Sequence, residues 1–332
     1  MAKDIEKTLT SKIIFVLLGI CIIYTALAYG TVHQPTIALF YLMTTAIIVL
    51  WAIDSFQTGI LRFNKSLLQI PLIGAVVYAI IQIIPFGSLA ETGGVSGIGR
   101  TISLEPFWTQ MFALHFLALF FILAASLTFL DSAERLRKIT SLITIFGFAF
   151  AFFAILQLVL SPTKIYGIYE AEFAQPFGSF VNRHNFAAYM EMLIAVPLGL
   201  IFVGAVPRDK RLIYMTTIGL MGIALLLSGS RGGLVSLLAE VILLVILASK
   251  SRGYNQVALK IGLAILLIAV IVGGSIMIGG ESSLTRFAET ATSNDISTNR
   301  TQIWNVTLQV IKNNLPFGAG IGAFAAAYTT YD

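Results

Sequence analysis

The sequence predicts an all-α, polytopic membrane bundle of about nine spans. Of its 332 residues, 57% are hydrophobic and 11% are charged, against roughly 25% charged in a soluble domain. Nine stretches of 16 or more residues are nearly free of charge, each close to the roughly 20 residues that cross a bilayer. The basic residues fall at alternate ends of these stretches.

The spans read from the apolar runs are Ile13–Tyr29, Thr36–Ile53, Leu67–Ile84, Trp108–Leu130, Ile139–Leu160, Asn185–Val206, Leu212–Leu227, Gly232–Ser249 and Ile261–Ile278. Lys3, Lys7 and Lys12 before the first span, with Ala26-Leu27-Ala28 at its end, have the look of a secretory signal. Its 17 apolar-rich residues and the eight spans that follow favour a retained anchor. Fourteen basic residues lie at one set of ends: Lys3, Lys7, Lys12, Arg62, Lys65, Arg135, Arg137, Lys138, Arg208, Lys210, Arg211, Lys250, Arg252 and Lys260. Seven lie at the other: Arg100, Lys164, Arg183, Arg231, Arg286, Arg300 and Lys312. The richer side faces the cytoplasm, with the amino terminus inside. Residues 1–278 then form the transmembrane bundle. Residues 279–332 begin an outer loop with an amphipathic helix. Because the chain closes on Tyr331-Asp332 directly after the small apolar run Ile321–Ala327, it reads as a piece of a longer protein, cut in that loop.

Several functional classes fall away. A net charge of +5 suggests nucleic acid, but no basic run is denser than Arg135, Arg137, Lys138, so no such partner is expected. With Cys21 the sole cysteine and His33, His115 and His184 the only histidines, neither a disulfide framework nor a Cys/His metal cluster can be built. No phosphate-loop motif occurs, and Gly318-Ala319-Gly320-Ile321-Gly322 has the wrong spacing for a dinucleotide fingerprint.

Three outer arginines are each set among polar or small residues where the chain meets the membrane. Arg183 lies in Phe180-Val181-Asn182-Arg183-His184-Asn185, Arg231 in the short turn Ser228-Gly229-Ser230-Arg231-Gly232-Gly233, and Arg300 at the head of Arg300-Thr301-Gln302-Ile303-Trp304. The guanidinium fork suits phosphate, so against the positive-inside bias these three point to an anionic partner; snorkelling at the interface is the plainer alternative. Glu191 shares a helical face with His184, Ala188 and Ala195, and Glu240 shares one with Gly229, Gly233 and Ser236. Intramembrane carboxylates are costly unless paired, which makes both either partners of the arginines or packing contacts. His184 is the natural general base, whereas His115 reads as packing and His33 as incidental. Arg300, Trp304, Leu308 and Ile311 share one face of a helix over 300–312, lying on the membrane or on the bundle, and the glycines 318, 320 and 322 allow close approach to a ligand or to another helix.

At these residues the sequence resembles the O-antigen ligase and polymerase family of bacterial membrane glycosyltransferases. The likeness rests on Phe177 to Met192, Ser230-Arg231-Gly232-Gly233, Arg300 with Trp304, and Pro316 to Phe324. It implies glycan transfer from a polyprenyl-diphosphate-linked donor, of the undecaprenyl type, to an acceptor hydroxyl at the periplasmic face of the inner membrane, as in lipopolysaccharide biosynthesis, with no cofactor and no metal. Arg183, Arg231 and Arg300 would hold the donor diphosphate with Asn182 and Asn185, Arg231, Arg300 and His184 would be catalytic, and Glu191, Glu240 and Trp304 supporting. The acceptor could be lipid A core, a growing glycan or a protein, and membrane lipids are further partners. Two departures are visible: members often read Asn-Arg-Asn-His where this chain has Asn182-Arg183-His184-Asn185, and the histidine of their large outer loop has no counterpart after His184. The chain as it stands is therefore expected to be inactive. The rival class is a transporter for an anionic solute, which would place its charges nearer the midplane; a structural or assembly subunit is a third.

The register predicts that fusions of a periplasm-active reporter at Gly94 and Thr290 are active and those at Arg62 and Arg137 silent. The reverse pattern would refute it.

Overall fold

The structure, a computed structural model, describes residues 8–86, 89–92, 95–171, 174–249 and 300–331, with isolated positions 262, 265 and 269. Ten helices are defined among them: α1 Leu9–Leu27, α2 Gln34–Thr58, α3 Ile70–Ile83, α4 Pro106–Phe129, α5 Ala133–Leu160, α6 Arg183–Phe202, α7 Arg211–Leu227, α8 Arg231–Ser249, α9 Arg300–Asn313 and α10 Phe324–Tyr328. Among the described residues, seven apolar segments are long enough to cross a membrane, so the chain is an all-α, multi-pass bundle. The eighth, α3, spans 14 residues after a 3-10 turn at Leu67–Gln69. Prolines explain its length: Pro71 sits in its first turn, and Ile84 before Pro85 is extended at ψ 128°, as the residue preceding proline must be. The expected ninth span, Ile261–Ile278, lies outside the described residues.

Two short antiparallel hairpins join helices, β1 Leu89–Thr92 with β2 Val95–Gly99, and β3 Lys164–Ile165 with β4 Tyr169–Glu170. Neither is long enough to show period-2 alternation in the sequence. The second closes through Tyr166 and Gly167, with φ 55° and 74°, the left-handed pair that matches a hairpin's twist.

The chain divides into two compact units, one drawn from residues 1–15, 41–130 and 294–332, the other from 16–40 and 131–293. In the first, α3 packs against α4; Val76, Ala79 and Gln82 line the buried face of α3, and small residues such as Ala113 and Ala118 are buried on α4. Gln82, 2% exposed, staples the glycine loop: its Nε2 donates to the Phe317 carbonyl at 2.9 Å and its Oε1 accepts from the Ile321 amide at 3.0 Å. Tyr78 donates to the same carbonyl at 2.6 Å. A Cβ on Gly320 would lie 2.3 Å from Ser103 Oγ, and one on Gly322 2.4 Å from the Phe112 ring. The close approach that these two glycines permit is therefore to the start of α4, while Gly318 borders a cavity of about 340 Å³ between α3 and the loop. At the other end of this unit, the fully buried Asp54 pairs with Arg62 and accepts from the Thr8 and Thr10 hydroxyls. The Arg62 guanidinium also lies over Phe129.

The second unit packs α5, α6, α7 and α8 around Phe150, Phe186, Met190, Ile194, Met221 and Leu225. Small residues set the distances: a Cβ on Gly147 of α5 would stand 2.5 Å from Met221 Cε.

Replacing Gln82 by Leu leaves the Ile321 amide without its partner and the Phe317 carbonyl with Tyr78 alone, at about 1–3 kcal/mol for the lost amide bond. The variant should show a lower melting temperature in detergent and faster proteolysis within Phe317–Ile321; unchanged proteolysis would show that the loop is held otherwise.

Candidate functional site

Two helices of the second unit begin side by side, and each begins with an arginine. At α6 the entry is fixed by the loop before it. Phe177 and Phe180 exchange backbone hydrogen bonds at 3.1 Å across a turn in which Gly178 has φ 56°. Gln157 Nε2 donates to the Gly178 carbonyl at 2.6 Å, and Ser179 Oγ donates to the Ala26 carbonyl at 2.6 Å. The rings of Phe177, Phe180 and Phe186 pack together, Phe180 and Phe186 also meeting Phe150. Thus apolar packing, invisible in a loop that reads as Tyr, Pro and Gly, holds Asn182 in extended backbone as the N-cap, its Oδ1 accepting from the His184 amide at 2.8 Å. Arg183 is the first helical residue, and its own amide donates to the Gln175 carbonyl at 2.9 Å.

At α8 the device recurs. Helix α7 ends at Ser228, Gly229 turns the chain with φ 67°, and the Ser230 hydroxyl accepts from the Gly233 amide at 3.2 Å, capping the new helix. Arg231 follows, exposed, and the amides of Arg231 and Gly232 take no partner among the described residues. The two starts meet directly. His184 Nδ1 lies 3.1 Å from Ser230 Oγ, and Arg183 Nη1 lies 3.5 Å from where a Cβ on Gly229 would be. A turn further in, a Cβ on Gly233 would stand 2.9 Å from Ala187 Cβ and 3.0 Å from Glu191 Oε1.

Of the residues singled out from sequence, the structure brings together Arg183, His184, Asn182, Arg231 and the acids. Asn182 is engaged as a cap through its oxygen, and Asn185 is exposed on the first turn of α6. Glu191 receives the Ser236 hydroxyl, which also reaches the Gly232 carbonyl at 3.0 Å. Glu240 stands within electrostatic range of Glu191, with its Oε1 buried and without a hydrogen bond among the described residues. Glu191 thus lies at the α6–α8 contact, beside Gly233. Arg300 opens α9, in the first unit, and its side chain lies outside the description. Trp304, Leu308 and Ile311 of α9 are exposed while Val306 and Val310 are buried. His115 receives or donates a hydrogen bond with Tyr41 at 3.3 Å, as a packing residue would.

Sequence reasoning missed Ser230 as the partner of His184, for which the only signal is its place three residues before Gly233. It also passed over His33, which stands 5.3 Å from Tyr29 and 5.1 Å from Tyr169, ring to ring, at the same end of the unit.

Exchanging Glu240 for Gln keeps the shape and removes one of two like charges, so the melting temperature in detergent should hold or rise. A fall of several degrees would show instead that a cation, one of the arginines, holds this carboxylate.

Residues 216–332 match the family model described as O-antigen ligase. The matched segment begins within α7 and contains Ser230 to Gly233, Glu240, Arg300, Trp304 and the glycine loop, while Asn182 to Glu191 precede it. Comparison with curated proteins and with solved structures gave no match. The helix turn that carries Arg231 is thus part of the segment over which this multi-pass membrane protein is similar to the O-antigen ligase family.

Proposed function

We propose that the protein transfers a glycan from a polyprenyl-diphosphate-linked donor to an acceptor hydroxyl at the periplasmic face of the inner membrane, in the manner of an O-antigen ligase. One observation carries this reading: two helix starts, each capped and each led by an arginine, lie side by side at the end of the second unit opposite the basic starts of α5 and α7. Helix amino termini carry partial positive charge and attract phosphate. Two of them with two guanidinium groups form an anion site at a membrane edge, where a lipid diphosphate resides.

In the reaction the acceptor oxygen attacks the anomeric carbon, the bond from that carbon to the diphosphate oxygen breaks, and the charge left on the lipid diphosphate falls on Arg183 and Arg231 and on the amides of Arg231 and Gly232. Stabilising charge as it develops on the leaving group is what lowers the barrier. In place of the outer-loop histidine, whose absence makes the sequence read as inactive, His184 takes the acceptor proton, its ring held by Ser230 at 3.1 Å. The sequence likeness adds Arg300 to the residues proposed for the diphosphate, and Glu191 and Glu240 set the polarity beneath Arg183 and Arg231. The acceptor hydroxyl belongs to lipid A core, a growing glycan or a protein.

Arg231→Ala and Arg300→Ala should each lower glycan transfer by about 10²–10³-fold, the range for losing one charge-stabilising donor, with membrane expression near normal. Lysine at either position should rescue only in part, because an ammonium cannot reproduce the fork. Transfer at the wild-type rate by either alanine variant removes that arginine from the diphosphate site. Transport of an anionic solute with no glycan transfer would overturn the reading as a whole.

A further inference from the structure

We propose that Tyr29, His33, Tyr166 and Tyr169 form a saccharide-binding subsite at the arginine-bearing end of the second unit, an inference that rests on glycan transfer being this protein's chemistry. The four rings form one edge-contacting cluster centred on Tyr29, which lies 5.3 Å from His33, 5.6 Å from Tyr166 and 5.3 Å from Tyr169, while His33 lies 5.1 Å from Tyr169, centroid to centroid. They come from the turn between α1 and α2 and from the β3–β4 hairpin. From below, Phe153 packs on Tyr166 at 5.5 Å. The Tyr166 amide donates to Gln157 Oε1 at 3.0 Å, and its hydroxyl donates to the Leu27 carbonyl.

The backbone that presents these rings is strained. Tyr29, Gly30 and Thr31 are left-handed in succession, with φ of 57°, 67° and 57°, and Tyr166 is left-handed at 55°. Such a conformation costs a non-glycine residue about 1–3 kcal/mol, and the hairpin position of Tyr166 favours Asn. A belt of interfacial tyrosines needs none of this, since any relaxed helix end would present them. The strain gathers the rings into one cluster.

The polar atoms of the cluster indicate what it takes. The hydroxyls of Tyr29 and Tyr169 make no hydrogen bond among the described residues, and neither does His33 Nε2, which is buried. A pyranose ring offers a C–H face to an aromatic ring and a rim of hydroxyls to just such groups. In the hairpin that carries Tyr166 and Tyr169, Lys164 and Glu170 stand 3.7 Å apart and offset one another, so the hairpin itself favours a neutral ligand. Gly30 seats the turn against Phe180, where a Cβ would lie 2.6 Å from the ring. The cluster and Arg183 are therefore held by one loop.

The test uses the full chain in lipid nanodiscs, with maltohexaose, cellohexaose and N-acetylchitohexaose as probes and saturation transfer to sugar C–H protons as the readout. At least one probe should bind. Tyr169→Leu, which keeps bulk and loses the ring, should weaken it about tenfold, the worth of an aromatic contact, and Tyr169→Phe should keep most of it. Tyr166→Asn, which suits the turn, should fold and also lose binding. Undecaprenyl diphosphate binding, which reads Arg231, should be unchanged in all three variants, so failure of the subsite and failure of the donor site are told apart. Absence of transfer to every probe, binding by Tyr169→Leu equal to wild type, or capture of choline in place of sugar would each overturn the proposal.

Discussion

The contact between α6 and α8 at Gly233 is the constraint on which the site depends. With a Cβ position 2.9 Å from Ala187 Cβ and 3.0 Å from Glu191 Oε1, no side chain fits there without separating the helices. Glycine within a helix weakens it by about 1 kcal/mol relative to alanine, and here that cost is met by proximity. Two helix starts, each the positive end of a dipole and each led by an arginine, are held together although like charges oppose it. Such an arrangement suits an anion, because negative charge is favoured at the positive end of each dipole.

What resists the repulsion is an aromatic foundation beneath the site. Phe150 contacts Phe180 and Phe186, which close with Phe177 over the end of α5. Gln157 and Ser179 satisfy the loop carbonyl at Gly178 and the α1 carbonyl at Ala26 in an environment with little water to do so. A buried glutamine does the same in the first unit, where Gln82 holds the backbone of the glycine loop. In both units one amide side chain, able to donate and accept at once, fixes irregular backbone at a helix end.

Spans were legible because twenty apolar residues admit few other readings in water. α3 was legible in place but not in length, since Pro71 and Pro85 trim a run that hydropathy alone extends. Arg183 and Arg231 could be singled out because polar residues in apolar surroundings are costly, and their capped turns have a local signature. The pairing of His184 with Ser230 could not, because 46 residues separate them and nothing local to either names its partner. Asp54 and Gln82 escaped for the same reason: a lone polar residue in an apolar run says that a partner exists and not which. The tyrosine cluster depends on left-handed backbone at Tyr29 and Tyr166, conformations that sequence preference argues against and that only surrounding packing enforces.

The central claim is that the lipid diphosphate lies at the paired starts of α6 and α8. Solid-state NMR dipolar recoupling between arginine side-chain ¹⁵N and the ³¹P of undecaprenyl diphosphate, in bilayers containing the full chain, measures this directly. The account predicts contact at hydrogen-bond range, N···O about 2.7–2.9 Å, for Arg183 and Arg231, abolished by replacing them. Contact instead with Arg135 or Arg208, at the opposite end of the same unit, would contradict it.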